Sequence, residues 1–211
     1  MSVNFRGIPA LVKLRNKGKS PVINPTETLM IREKGEDSQI EISGVTDEIN
    51  SKITIKIGNR SRVKIEGIQT LNTRLIITLG DDCELLIKDG QKINGPLRIN
   101  QFEASKVTIG KNGLFGPCQI WTSDFHSVID NQTKNRINPP KDVVLGDHVW
   151  LGAEALILKG STIGDDSVVA ARSVVTKSYP SNSLIGGYPS RLLKSNISWD
   201  DKLLPYNLEN W

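Results

Sequence analysis

The chain carries two imidazoles in different settings. His126 stands in the run SDFHSV, directly before a stretch rich in Asn and Pro, whereas His148 follows Asp147 at a turn and is expected to face solvent. A neutral imidazole, with an ordinary pKa of about 6.5, accepts a proton near neutrality, so a histidine beside a loop is a candidate general base for activating a hydroxyl. The competing reading is a corner histidine that bonds a backbone carbonyl. Asp124 lies two residues upstream and shares a strand face with His126 if the backbone stays extended, where it would orient the ring or bind a hydroxyl. Trp150 places a large apolar indole at a position that otherwise reads as solvent-facing, which fits a groove wall or packing against another subunit. No serine or cysteine nucleophile motif calls for a covalent intermediate. Cys83 and Cys118 are too isolated for a disulfide framework or a zinc cluster and read as small buried side chains, so no metal is expected.

The elements that must position these residues are visible as a repeat. Aliphatic residues fall every six positions at Leu145, Leu151, Ile157, Ile163, Val169 and Val175. Small or compact residues dominate the next position in each unit and the fourth after each aliphatic, as at Ser161, Ser167 and Ser173. An amphipathic helix would need apolar spacings of three and four, which this stretch lacks. Each unit instead supplies a short strand face and a corner of a triangular coil, and three units bring the chain back above its start at a spacing of about 4.8 Å. Ile109, Phe115 and Trp121 continue the register upstream, and fainter pieces occur at Ile57 with Val63 and Leu79 with Leu85, separated by slips. His126 and Trp150 are four units apart, which places them in the same repeat position, one coil plus a six-residue excursion, bordering one groove.

These patterns predict an all-β parallel helix with an extruded loop and a short tail. Residues 1–45 read as an irregular cap and arm, 46–185 as the coil with a loop near 127–141, and 186–211 as a tail with a short helix capped by Ser198. Net charge is +4, but residues 1–20 hold Arg6, Lys13, Arg15, Lys17 and Lys19 with no acid, so the rest of the chain is close to neutral. Such an arm suits plain solvation better than an anionic glycan or a membrane surface, and no nucleic-acid partner is expected. No apolar run reaches membrane-spanning or signal-peptide length, which predicts a cytoplasmic protein.

The repeat, together with VWLGA at 149–153, VVTK at 174–177 and GGYPSR at 186–191, resembles the hexapeptide-repeat acyltransferase family over residues 105–195. Within it the likeness runs to bacterial polysaccharide O-acetyltransferases, including those that act on sialic acid in capsules. The resemblance implies a left-handed coil, a homotrimer, and acetyl-CoA bound in a groove between subunits. It implies that His126 is the general base, that Trp150 lies beside the acetyl thioester, and that backbone N–H groups near 150–153 stabilise the oxyanion, one such donor contributing about 3 kcal/mol. Gly152, Ala153 and Ala171 would leave room for the pantetheine arm, Thr176 and Lys177 would lie near the CoA diphosphate, and Arg191 would meet the 3′-phosphate. Trp121 and Asp124 fall on the acceptor side. The expected function is acetyl transfer to a hydroxyl of a capsular or surface polysaccharide. The alternatives are a small-sugar or xenobiotic acetyltransferase and a noncatalytic β-helix scaffold. N-acylation of a nucleotide-linked sugar is disfavoured because no Gly-rich βαβ unit is present.

Overall fold

A computed structural model describes residues 12–15, 29–33, 36–45 and 51–205; Arg6, Lys17 and Lys19 of the basic arm lie outside the described residues. The chain is the expected all-β, left-handed parallel β-helix. Three seven-stranded sheets form the faces of a prism. The first face contains Lys52–Ile57, Arg74–Leu79, Leu97–Gln101, Cys118–Trp121, Ala155–Ile157 and Val174–Val175. The second contains Arg62–Ile65, Glu84–Ile87, Lys106–Ile109, Val143–Leu145 and Thr162–Ile163, and the third contains Ile68–Leu71, Gln91–Ile93, Leu114–Phe115, Trp150–Leu151 and Val168–Val169. Each coil visits the faces in that order.

The strands form because alternate residues are aliphatic. In Lys52–Ile57 the side chains of Ile53, Ile55 and Ile57 are buried, while Lys52, Thr54 and Lys56 lie outward. All six aliphatics of the repeat from Leu145 to Val175 are buried, each contributing about 1.5–3 kcal/mol by leaving water. Corners are made by single residues in the left-handed region, among them Asn112, His148, Glu154, Asp166, Arg172 and Asn182. Coils meet closely at these corners, and a Cβ on Gly152 would lie 2.7 Å from the Ala171 nitrogen. The need for glycine there is therefore set first by coil stacking. The compact fourth-position residues have a matching reason. Ser161, Ser167 and Ser173 are fully buried, and the hydroxyls of Ser161 and Ser167 donate to the carbonyls of Val175 and Pro180.

Four features differ from the sequence reading. The coil starts before residue 46, since Leu29–Glu33 and Gln39–Ile42 already pair in parallel with the next coil. The early coils are twenty-two residues long, as Ile53 pairs with Leu75 and Leu75 with Leu97, against eighteen from Leu156 to Val174. Longer faces, of up to six residues, absorb the difference and produce the slips.

Third, Ile109 and Phe115 stack under Leu145 and Leu151 as expected, but Ile120 rather than Trp121 stacks under Ile157. The corner at Gly116-Pro117 shortens the register by one residue, so Ile120 is buried and Trp121 turns outward, half-buried. Fourth, the tail holds no helix among its described residues. Ser190–Ser195 folds back antiparallel on Ser183–Gly187 and closes one end of the third face, much as Val12–Arg15 lies antiparallel on Gln39–Ile42 at the other end. Each end of the prism thus carries one antiparallel strand, on the second face at one end and on the third at the other.

Candidate active site

The loop that carries His126 is larger than the sequence spacing implies. The chain leaves the first face after Thr122 and returns where the Lys141 N–H donates to the Thr122 carbonyl at 2.9 Å. Val107 pairs with Val143, so one eighteen-residue coil is accompanied by an eighteen-residue insertion, not a six-residue excursion. His126 is thus inside the loop, at the corner between the first and second faces. Trp150 stands on the third face, between Leu114 and Val168. The expectation that the two share a repeat position is corrected by this count, because equal spacing fixes position only while the coil is uninterrupted.

The loop root is tightly organised. Asn138 is 8% exposed and uses all its hydrogen-bonding capacity. Its Nδ2 donates to Asp124 Oδ2 and to the His126 carbonyl, both at 2.8 Å, and its Oδ1 accepts from the Val128 N–H at 2.8 Å and Arg136 Nε at 3.0 Å. The Arg136 guanidinium in turn grips Glu103 with two bonds of 2.5 and 2.8 Å. Lys159, on the next coil, donates to Asp124 Oδ2 at 2.5 Å and to the Pro139 carbonyl at 3.2 Å. Both strands of the loop are therefore tied to each other and to the prism. Phe125 is held at φ +66°, a costly conformation for a bulky residue, and its ring packs edge-on against Phe102 at 4.4 Å. Phe102 also touches Trp121 at 5.8 Å, so these rings form an apolar floor beside His126.

His126 itself is exposed. Its N–H donates to the Asp124 carbonyl at 2.7 Å, which makes a tight turn rather than an extended strand. The Asp124 carboxylate accordingly points to Lys159 and Asn138, and it anchors the loop instead of orienting the imidazole. The Lys159 ammonium, then the Asn138 amide, hold this carboxyl below the usual carboxylate range. A carboxylate with a lowered folded pKa stabilises the latch fully above its unfolded pKa of about 3.9, and that contribution is lost as pH falls through the depressed folded value. Lys159→Met is expected to move the Asp124 pKa upward and the loss of latching to higher pH. Carboxyl titration by NMR checks this, and an unchanged Asp124 midpoint would refute the role given to Lys159.

The other expected site residues fall into separate groups. Thr176 and Lys177 are exposed at the same corner as the His126 loop, with Lys177 Nζ 5.6 Å above the Tyr179 ring. Gly152, Ala153 and Ala171 lie at the corner between the third and first faces. Between these two corners runs the first face, with a groove of 340 Å³ bordered by Arg98, Gln119, Glu154, Leu156 and Val174. Arg191 is exposed on the antiparallel strand at the end of the third face. His148 is not free in solvent as expected. Its Nδ1 lies 2.8 Å from Asp166 Oδ1 and its ring stacks on Trp199 at 4.0 Å. Both cysteines are buried, and burial pushes the Cys118 thiol up to about 12, far from a thiolate at neutral pH.

Sequence reasoning did not find Asn138, Arg136, Glu103, Lys159 or Trp199. One signal was available: Lys141, Lys159 and Lys177 recur at the eighteen-residue coil length and so mark a single corner. The partners of the loop carry no period.

A coil of six-residue units defines a class, and comparison with known proteins agrees. Residues 142–177 match the family model described as bacterial transferase hexapeptide (six repeats). Residues 142–177 thus carry the repeat that defines this transferase family. The polysialic acid O-acetyltransferase of Neisseria meningitidis is 31% identical over 147 residues, covering 69% of this chain and 65% of that protein. The polysialic acid O-acetyltransferase of Escherichia coli O1:K1 / APEC is 27% identical over 150 residues, covering 69% and 44%. The chain thus spans between 44% and 65% of the length of these two relatives. The solved structure of the polySia-specific acetyltransferase NeuO superposes with a TM-score of 0.63 at 26% identity, over 88% of both chains.

Proposed function

We propose that this protein transfers an acetyl group from acetyl-CoA to a hydroxyl of a bacterial surface polysaccharide, of the sialic acid-containing kind named for its relatives. The observation that carries this reading is an exposed imidazole on a loop whose backbone is bonded at His126, Val128 and Asn138, at the corner of a hexapeptide coil. In this reading His126 takes the proton from the acceptor hydroxyl as its oxygen attacks the acetyl carbonyl, and the proton passes on to the departing sulfur. A positioned base of this kind contributes roughly 10²- to 10⁴-fold. The apolar floor of Phe102 and Trp121 supports the acceptor beside it.

The separation of His126 from Trp150 gives the oligomer its role. In a homotrimer of side-by-side prisms, the loop corner of one copy meets the third face of the next, so a groove between two copies holds both groups. Trp150, 39% exposed, then walls the acetyl end. Thr176, Lys177 and Arg191 supply the hydroxyl and cations that the CoA phosphates require, and Gly152, Ala153 and Ala171 offer a low corner for the pantetheine arm. This chain's residues fit a donor with an anionic end and a slim neutral arm. Among the described residues no helix is long and apolar enough to cross a membrane; we place the enzyme in the cytoplasm, where its donor is made.

The test is incubation with acetyl-CoA and a panel of sialylated, neutral and small-sugar acceptors, followed by thiol release and mass spectrometry. Acetylated polysaccharide with stoichiometric free CoA is the expected result. Turnover confined to small sugars or xenobiotics would replace the acceptor, and no turnover with any acceptor would leave the scaffold reading standing in its place.

A further inference from the structure

The segment after Ser195 runs back along the corner between the second and third faces and is fastened at three levels. The Ile197 N–H donates to the Asn182 carbonyl at 3.0 Å, and Asn182 Nδ2 returns a bond to the Ile197 carbonyl at 3.1 Å. Two coils away, Trp199 Nε1 donates to the His148 carbonyl at 2.8 Å, and its indole lies flat on the His148 ring, 4.0 Å away and 10° from parallel. Two coils further, Asp201 forms an ion pair with Lys92. With coils about 4.8 Å apart, the strap spans about 19 Å of the prism.

An exposed tail without a task frays, because ordering each residue costs conformational entropy. This one places the face of an indole on an imidazole that is itself fixed by Asp166 at 2.8 Å. The same indole lies 5.9 Å from the Trp150 ring at 48°, against a side chain that is otherwise partly open to solvent. Deleting Trp199 would leave the Trp150 indole free on that side and remove the lid from His148.

We propose that Trp199 is a positioning residue for the donor site, acting through Trp150: the tail strap braces that indole at the angle from which it walls the acetyl end of CoA. This deepens the functional reading above and rests on its placement of the donor at Trp150. Within one chain the strap touches neither the His126 loop nor its corner, so its loss acts on donor binding through Trp150.

The experiment uses the full chain and three variants, Trp199→Ala, Trp199→Phe and Asp201→Asn, with coil integrity followed by circular dichroism. Kd for CoA is measured by calorimetry, and KM for acetyl-CoA and kcat by thiol release. Trp199→Ala is expected to raise both Kd and KM about tenfold with kcat at saturation within about twofold, since lost binding alone is uniform. Trp199→Phe, which keeps an aromatic face but not the N–H, is expected to recover most of the loss, and Asp201→Asn to move in the same direction by a smaller factor. Folded Trp199→Ala with Kd and KM within about twofold of the parent overturns the proposal alone. An equal fall in kcat for all three variants, tracking the folded fraction, also overturns it by reducing the strap to a structural element. A parent chain that binds no CoA overturns this inference and the donor assignment together.

Discussion

Replacing His126 by Ala should lower kcat by roughly 10²- to 10⁴-fold while leaving CoA binding and the unfolding transition close to those of the parent. The imidazole is exposed, and among the described residues it makes no hydrogen bond that the fold would miss. Its removal therefore creates no buried cavity and no orphaned polar group, the two usual sources of large stability losses. The coil core from Ile109 to Val175 lies elsewhere. Steady-state thiol release with polysaccharide acceptor measures the effect, and activity within tenfold of the parent would remove His126 from the role of base. The proposed oligomer adds a second arm. Subunits carrying His126→Ala, co-refolded with subunits carrying Trp150→Ala, should regain activity, because some interfaces then pair an intact loop with an intact third face. No recovery would place both groups in one subunit and contradict the shared groove.

Asn138→Ala is expected to reduce kcat by about 10- to 10²-fold, since a displacement of about 1 Å at a reacting group carries a cost of that size. Its side chain supplies four hydrogen bonds that join the outgoing strand at Asp124, His126 and Val128 to the returning strand at Arg136. Truncation would leave the Val128 N–H and the His126 carbonyl without these partners, at about 1–3 kcal/mol for each group that stays buried. Phe125 would then relax from its left-handed conformation and carry the neighbouring imidazole with it. The damage is local: KM for acetyl-CoA should change little, and the thermal midpoint should fall by only a few degrees. Asn138→Asp is a sharper test of the latch, because it replaces a donor facing Asp124 with a second carboxylate. If either variant keeps parental kcat, the loop is held by Lys159 and the Arg136–Glu103 pair alone.

The fold was largely legible because its signal is repeated. Each inward aliphatic is one instance of a pattern, so a wrong assignment at one unit is outvoted by its neighbours, and the parallel coil follows. Legibility failed where a single residue changed the count. The corner at Gly116-Pro117 turned Trp121 outward and Ile120 inward, and hydrophobicity alone permits either register over so short a strand. The insertion length failed in the same way, since the loop's Asn and Pro residues announce a break without stating where the chain rejoins the coil.

The candidate site divides along the same line. His126, Trp150 and the small residues at 152, 153 and 171 could be picked out as types suited to chemistry or close approach. Which corner each occupies could not. The latch from Glu103 through Arg136 and Asn138 to Asp124 and Lys159 is made of contacts that each occur once, between bonded partners up to thirty-five positions apart, and of its members only Lys159 falls at a recurring position. The docking of Trp199 on His148 spans fifty-one positions.

By itself, then, the amino-acid order determined an all-β coil of six-residue units, its aliphatic interior and the residue types on hand for acyl transfer. Only the folded chain decided that His126 sits on an eighteen-residue insertion at one corner, that the Trp150 indole stands on another face, and that a returning tail lays Trp199 against it. The physical reason is that burial of a periodic side chain is a local property repeated along the chain, whereas the geometry of the site depends on unrepeated contacts between distant residues, which form only once the coils have stacked.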